Sequence, residues 1–600
     1  MMANSLQDQA RIALASIGEA SLLAVRYALT SPLSRWITGP SPAHHLLIVP
    51  QDLRTADPSF ATELYEGYFG LAGAVALTGS ESPFAVRPPS AAWERELYSF
   101  SWVRNLHAAD DDIAREKARV LLADWLLKSR SAPQISRQLG VTARRVISLL
   151  SHAGFLLDGV DSRLYDAFMR SLTEDLHILN VGQSSAEHTL DKLTALAALT
   201  LAGLCVSEQQ ASLASYSANF QAELDKQILP DGGHISRNPH CLIELMLDIL
   251  PLKQCFIARQ MEPPEFLLNA IRRIFPMLRF MRLGDGSLGR FNGMGPTPVD
   301  FLATVLVYDD DPQPMASRMD ASGYVRMARG DTLLLADIGP PPPLRSSRYA
   351  HAGCLSFELT SGLSPVIVNC GAPPDEASDW SVVCRSTAAH STLTINDVSS
   401  SRIIKAQGLR AKPDDHFLIG PKSVKAEVID EADGGISMRA AHDGFQDRFH
   451  VTHRRKLRLN AEGTLLHGVD QLAARAGKTP FAEGRDAYAV RFHLHPEVAA
   501  VRANDAHTVA LVLPSEEIWY LRAEGQRVEI EESIFLADPV GPRRSLQIVI
   551  SGRCSQDTQI VWTLRKAEAR QQRAQPRMPS KTNPALAGTI EHDGNEPGEP

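Results

Sequence analysis

The sequence predicts an α+β multidomain protein, a stacked or toroidal array of helices followed by an antiparallel β-sandwich. Three observations carry this. From about residue 60 to 280 apolar residues recur at helical spacing. Beyond about 322 the period falls to two, with apolar runs set between turns. Between them lie two breaker-rich stretches, GDGSLGRFNGMGPTP from Gly284 and GPPPPL at 339–344.

The clearest helical patterns are VLLADWLL (120–127), RRVISLLSHAGFLL (144–157), LYDAFMRSLTEDLHIL (164–179), LTALAALTLAGL (193–204) and CLIELMLDIL (241–250). Short polar links between such segments favour antiparallel helical neighbours. No tight repeat supports a solenoid. The strand patterns include YVRMARGDTLLLADIG, KLRLNAEGTLLHGVDQL, TVALVLP, SLQIVISG and QIVWTLR, which suit a long antiparallel sandwich. The expected divisions are a helical segment at 1–60, the helical array at 61–315, the sandwich at 320–565 and a disordered polar tail at 566–600.

Six hundred residues exceed one compact core. A net charge of −8 gives no long-range attraction for nucleic acid or an anionic membrane. Seven scattered cysteines without CxxC spacing argue against a disulfide framework and a zinc–thiolate site. Residues 12–30 are fairly apolar but are interrupted by Glu19 and Arg26, which reads as an amphipathic helix rather than a membrane span. With no secretory signal visible, the chain reads as soluble and unexported. The sequence is silent on oligomeric state.

Residues 351–371 (HAGCLSFELTSGLSPVIVNCG) and 385–397 (RSTAAHSTLTIND) place His351 and His390 where they can face one another across a sheet. Taken with PDGGHISRNPH at 230–240 and EHTLDKLTALAALTLAGL at 187–204, the chain resembles the heparinase II/III family of polysaccharide lyases over roughly residues 90–560. The resemblance implies an incomplete α/α toroid joined to a β-sandwich, with a groove between them for an anionic, uronate-containing glycan. It implies a periplasmic or cell-envelope location, in tension with the missing signal. It also implies β-elimination, in which one group neutralises the uronate carboxylate, a base removes the C5 proton and an acid protonates the leaving oxygen.

Mapped residue by residue, the family's Asn-His pair is Glu187-His188, and its catalytic Tyr position after the Gly-Gly-His loop is Cys241. The family's His-x-His-x-Asp segment is Tyr349-Ala350-His351-Ala352-Gly353. The resemblance then implies Tyr349 as acid/base, its phenol tuned by Arg345 or Arg348, with His240 or His234 as partner. His188, Arg237, Asn238 and Arg348 fall to substrate binding. His351, Asn369 and His390 form a possible structural zinc cluster, or else the two histidines are simply satisfied within the sandwich. His234 and Arg237 are expected to line the groove, because a Gly-Gly turn before a polar run exposes its side chains. Cys241 is expected to be buried. His493 and His495 alternate in RFHLHPEV and read as one half-exposed strand face. The substitutions at Glu187, Cys241 and Gly353 favour an alternative: a lyase scaffold that binds a cell-envelope or exopolysaccharide without cleaving it.

Overall fold

The computed structural model describes residues 45–568 apart from 186–188, 311, 313, 375–377, 406–415, 476, 478–480, 482–485 and 556. Glu187, His188, residues 1–44 and residues 569–600 therefore lie outside the described residues. Helices dominate from Ser59 to Leu306, and strands run from Arg318 to Lys566.

The hub of the toroid is the helix Leu190–Cys205, which is buried without a break from Leu193 onward. A helix apolar on all sides must be surrounded by other helices. It packs against Leu139–Ser151, Leu213–Gln227 and His240–Ala258. Outer helices keep a polar face, and some carry side-chain caps. Ser90 accepts from Trp93 N–H ahead of Ala91–Ser99, and Asp111 accepts from Ala114 N–H ahead of Asp112–Lys128.

The sandwich consists of two antiparallel sheets. The eight-stranded sheet has the spatial order Val424–Asp430, Ile436–His442, Val451–Leu459, Leu465–Ala474, Asp557–Lys566, Ile518–Ala523, Thr508–Val512, Ala499–Arg502. The nine-stranded sheet runs Val528–Phe535, Arg543–Arg553, Ala487–Leu494, Ser364–Val368, Phe357–Ser361, Thr332–Asp337, Tyr324–Arg329, Arg318–Met319, with Leu393–Ile395 paired to Ala487–Leu494. Strict alternation of burial along Val451–Leu459 shows one face turned to the opposite sheet. Between the sheets Phe357 stacks on Trp562 at 5.9 Å, and Phe492 meets the same indole edge-on at 4.8 Å.

The two layers share side chains at their junction. Met319, Tyr324, Leu333 and Leu335 of the first strands belong to the core of the helical domain. The expected face of His493 and His495 is split. His493 is buried, with Nδ1 2.8 Å from Ser533 Oγ and Nε2 2.9 Å from the Ala388 carbonyl, while His495 lies just past the strand end. Ser533 and the loop carrying Ala388 cover His493, so alternation there does not mean exposure. No helix among the described residues is long and apolar enough to cross a membrane.

Candidate functional site at the domain junction

The Asp-Gly-Gly-His loop is the element that joins toroid to sandwich. Asp231 accepts from Ser322 N–H at 2.7 Å and from its hydroxyl at 2.6 Å. Gly232 has φ +87°, and a Cβ there would lie 1.8 Å from the Arg273 carbonyl oxygen. Only glycine fits that conformation and that approach. A Cβ on Gly233 would fall 1.8 Å from Ser322 Oγ, so the second glycine sets how closely the two domains meet.

Beyond the turn, Arg237 reaches into the sandwich. Its guanidinium donates to the carbonyls of Ser322 (2.7 Å), Gly323 (2.9 Å) and Pro340 (2.9 Å) and pairs with Asp337 at 2.5 Å. Its charge centre lies 4.8 Å from the ring centroid of Tyr324. The Tyr324 hydroxyl donates to the Arg237 carbonyl at 2.5 Å and accepts from Asn292 at 2.9 Å. Burial works against the Arg237 cation, but the Asp337 carboxylate outweighs it and keeps the guanidinium charged. Burial pushes the Asp337 carboxyl up, opposed by Arg237.

These contacts correct the expectation that His234 and Arg237 line the groove. Arg237 is 7% exposed and His234 is 3% exposed. His234 points into the toroid, with Nε2 2.9 Å from Gln227 Oε1 and Nδ1 accepting from Ser236 N–H at 3.2 Å. Gln227 in turn donates to the Thr189 carbonyl and to Glu223. Burial lowers the His234 pKa to about 4, so the ring is neutral near pH 7. The polar run after the Gly-Gly turn is turned inward because the sandwich supplies partners for Arg237 and the toroid's own Gln227 supplies one for His234.

Asn238, His240 and Tyr349 occupy the lip of the junction. A Cβ on Gly293 would stand 3.2 Å from Tyr349 Cβ and 3.3 Å from Asn238 Nδ2, so loop 292–295 brings the two together. Asn238 Oδ1 caps the helix His240–Ala258 by accepting from His240 N–H at 3.0 Å. His240 is half-buried on the first turn. Cys241 is half-buried rather than fully buried, its Sγ lies 3.6 Å from Ser236 Oγ, and burial pushes its thiol up to about 11. A thiol of that pKa is protonated at neutral pH.

One turn further along, Glu244 and Asp248 are clasped by two arginines that the sequence patterns did not flag. Arg54 lies 2.9 Å from Glu244 and 3.0 Å from Asp248, and Arg144 lies 2.9 Å and 2.5 Å from the same pair. Burial would raise the Glu244 carboxyl, but both guanidiniums hold it well below the usual range. The i, i+4 spacing of the two acids on one helix was the available signal.

Tyr349 is 58% exposed. Its loop is held from beneath by Arg385, which donates to the carbonyls of Ala350 (2.9 Å), Ser347 (3.0 Å) and His416 (3.2 Å). Burial lowers Arg385 to about 10, with Cys384 and Tyr349 acting in the opposite direction. Arg385 is thus one cation whose charge is felt at Tyr349. Arg348 sits over the Phe417 ring at 5.1 Å.

His351 and His390 meet, with Nδ1 and Nε2 3.1 Å apart. His390 Nδ1 donates to the Ser386 carbonyl at 2.7 Å, which leaves its Nε2 bare to accept from His351. A Cβ on Gly353 would lie 2.7 Å from His390 Cδ2, so His390 fills the space a side chain at 353 would need. Burial lowers both rings, His351 well below its ordinary value and His390 to about 4. Asn369 contributes to the backbone: Oδ1 accepts from Ser391 N–H at 3.0 Å and Nδ2 donates to the Arg290 carbonyl at 3.4 Å. Among the described residues no group of three His, Cys, Asp or Glu side chains is placed to hold a metal ion. Two neutral imidazoles and an amide already bonded elsewhere do not make up a zinc donor set, which calls for a further strong ligand.

A family profile described as "Heparinase II/III-like, C-terminal" matches residues 311–563. FtsZ-localized protein C of Caulobacter vibrioides (strain NA1000 / CB15N) is 32% identical over 533 residues, covering 86% of this chain and 90% of the relative. Among solved structures, heparinase III superposes with a TM-score of 0.66 at 13% identity, covering 92% of this chain and 91% of that one. A heparan sulfate lyase HepC mutant from Pedobacter heparinus gives 0.56 at 13% identity, covering 94% and 91%. At such identity these two likenesses concern the fold. The chain belongs to the heparinase II/III family, as a divergent member with the family's α/α toroid and β-sandwich.

Proposed function

We propose that this chain uses the heparinase II/III scaffold to bind an anionic, uronate-containing polysaccharide without cleaving it, and that it works at the division site. The observation that carries the first part is the burial of His234 and Arg237. Elimination needs groups that reach the sugar at C5 and at its carboxylate. Here the imidazole is bonded on both nitrogens inside the toroid, and the guanidinium is spent on the domain junction. Cys241 stands where the family has its catalytic phenol, and burial pushes its thiol up to about 11. The second part rests on the Caulobacter relative, whose name places that protein with FtsZ and which aligns with most of this chain.

The test has two arms. A panel of uronate polymers is incubated with the protein and followed by absorbance of the unsaturated uronate product, alongside a binding measurement on the same polymers. Binding without product is the expected result. Product formation would overturn it. A fluorescent fusion in the native host should gather at midcell with FtsZ, and uniform distribution would remove the division-site role.

One observation favours a lyase as the second reading. Tyr349 is exposed at the junction beside Asn238, on a loop whose carbonyls Arg385 holds. A phenol so placed has the position of an acid/base, with His240 as the half-buried neighbour across the lip.

A further inference from the structure

A chain of net charge −8 that binds an anionic polymer needs a local basic surface to do so. Several arginines described around the junction are already engaged. Arg237 pairs with Asp337, Arg54 and Arg144 with Glu244 and Asp248, and Arg385 holds the carbonyls beneath Tyr349.

The outward face of the eight-stranded sheet carries unengaged cations. Along Val451–Leu459 the buried residues alternate with Arg454, Lys456 and Arg458, which therefore share the solvent side. In the register of the neighbouring strands Arg439 lies directly opposite Lys456, and Ala441 stands between Arg454 and Lys425. Like charges opposed across a ladder destabilise a sheet, so the fold alone does not call for Arg439 beside Lys456. Glu427 offsets Arg439 at 3.3 Å, and Asp433 pairs with Arg458. Among the described residues no carboxylate is paired with Lys425, Arg454 or Lys456. Lys425 and Arg454 are exposed, and Lys456 is half-buried.

We infer that this sheet face, outside the groove, is a binding surface for a uronate polymer, which lies flat across the strands with its carboxylates on Lys425, Arg454 and Lys456. The ligand class rests on the function proposed above, and the site is new. Lys456 and Arg454 stand about 7 Å apart along one strand, and Lys425 is about 10 Å from Arg454, two strands away. A polyuronate carries one carboxylate per sugar, so successive or alternate sugars can each meet a cation. The row of Arg454 continues into Gln471 and Gln559, whose amides offer donors and acceptors to sugar hydroxyls. The row of Lys456 continues into Val469 and Val561, an apolar strip for the C–H face of a ring. An acidic peptide would use the cations and leave the amides idle, which favours the glycan.

The full chain is titrated against fluorescently labelled polygalacturonate at two salt concentrations. The double variant Arg454→Gln, Lys456→Gln should bind at least tenfold more weakly and with a shallower salt dependence. Its melting temperature should not fall, because both side chains face solvent and a like-charge contact is removed. Lys425→Gln, on a different strand, gives an independent reading and should weaken binding in the same direction. Arg454→Lys keeps the charge and should retain the affinity. A double variant that binds as the wild type does overturns the inference, while the proposed polysaccharide binding stands with its site in the groove. A wild type that binds no uronate polymer removes both. Polyglutamate bound as tightly as polygalacturonate assigns the face to acidic peptides and overturns the glycan assignment.

Discussion

Arg237 and Asp337 meet at 2.5 Å where toroid and sandwich join, both almost fully buried. The arginine follows the Gly-Gly-His turn and the aspartate ends the strand Thr332–Asp337, so one ion pair links the two halves of the chain. Asn292 lies 3.3 Å from the second Asp337 oxygen, and Gly339 N–H donates to the first at 3.0 Å. A Cβ on Gly339 would lie 2.5 Å from the guanidinium, so a glycine makes room for the contact.

Removing one partner strands the other charge in a dry site. Arg237→Met is expected to cost about 3–5 kcal/mol in chemical denaturation. Replacing Asp337 by Asn at the same time should recover part of that loss. A cost below about 1 kcal/mol for Arg237→Met would show that the guanidinium is not the link between the domains.

Acid should destabilise the protein through its buried histidines. The folded His234 pKa is about 4, depressed from 6.5 by burial. Between these values the unfolded chain binds the proton and the folded chain does not, so stability falls as pH drops from about 6.5 toward 4. For this one ring the loss is roughly 3 kcal/mol, and His390 and His493 act in the same direction. His234→Gln keeps a polar partner for Gln227 and should flatten the melting-temperature profile over that range. An equal slope in the variant would assign the pH dependence elsewhere.

Tyr349 separates binding from elimination. If the groove only binds, Tyr349→Phe changes glycan affinity by less than about tenfold, the effect of one exposed hydroxyl. No unsaturated product appears before or after the substitution. A wild-type product signal abolished in Tyr349→Phe would establish the phenol as the acid/base.

The His351–His390 pair should behave as a hydrogen bond. Excess zinc is expected to leave the melting temperature unchanged, since a ligand that binds only the folded state would raise it. Gly353→Asp, which restores the family's carboxylate, is expected to lower stability because the new side chain enters the space of His390 Cδ2. Zinc retained through purification, with a rise of several degrees on re-addition, would make the pair a ligand pair.

Local pattern sufficed for the architecture of this protein. The unbroken apolar run in LTALAALTLAGL demanded a helix enclosed by others, and the period-two segments beyond 322 demanded paired sheets, because periodicity reports which faces are buried whatever the neighbours are. The family motifs at 230–240 and 351–397 were legible for the same reason, as strings with fixed spacing. The direction of individual polar side chains was settled only by tertiary partners. His234 and Arg237 follow a turn that exposes side chains on an isolated loop, yet Gln227, Ser322 and Asp337 draw them inward from as far as 100 residues away. Gly353 carries no sign in the sequence that His390 needs its space. A buried polar group goes where its hydrogen bonds can be completed, and for Arg237 the partners are brought together only when the two domains close on one another.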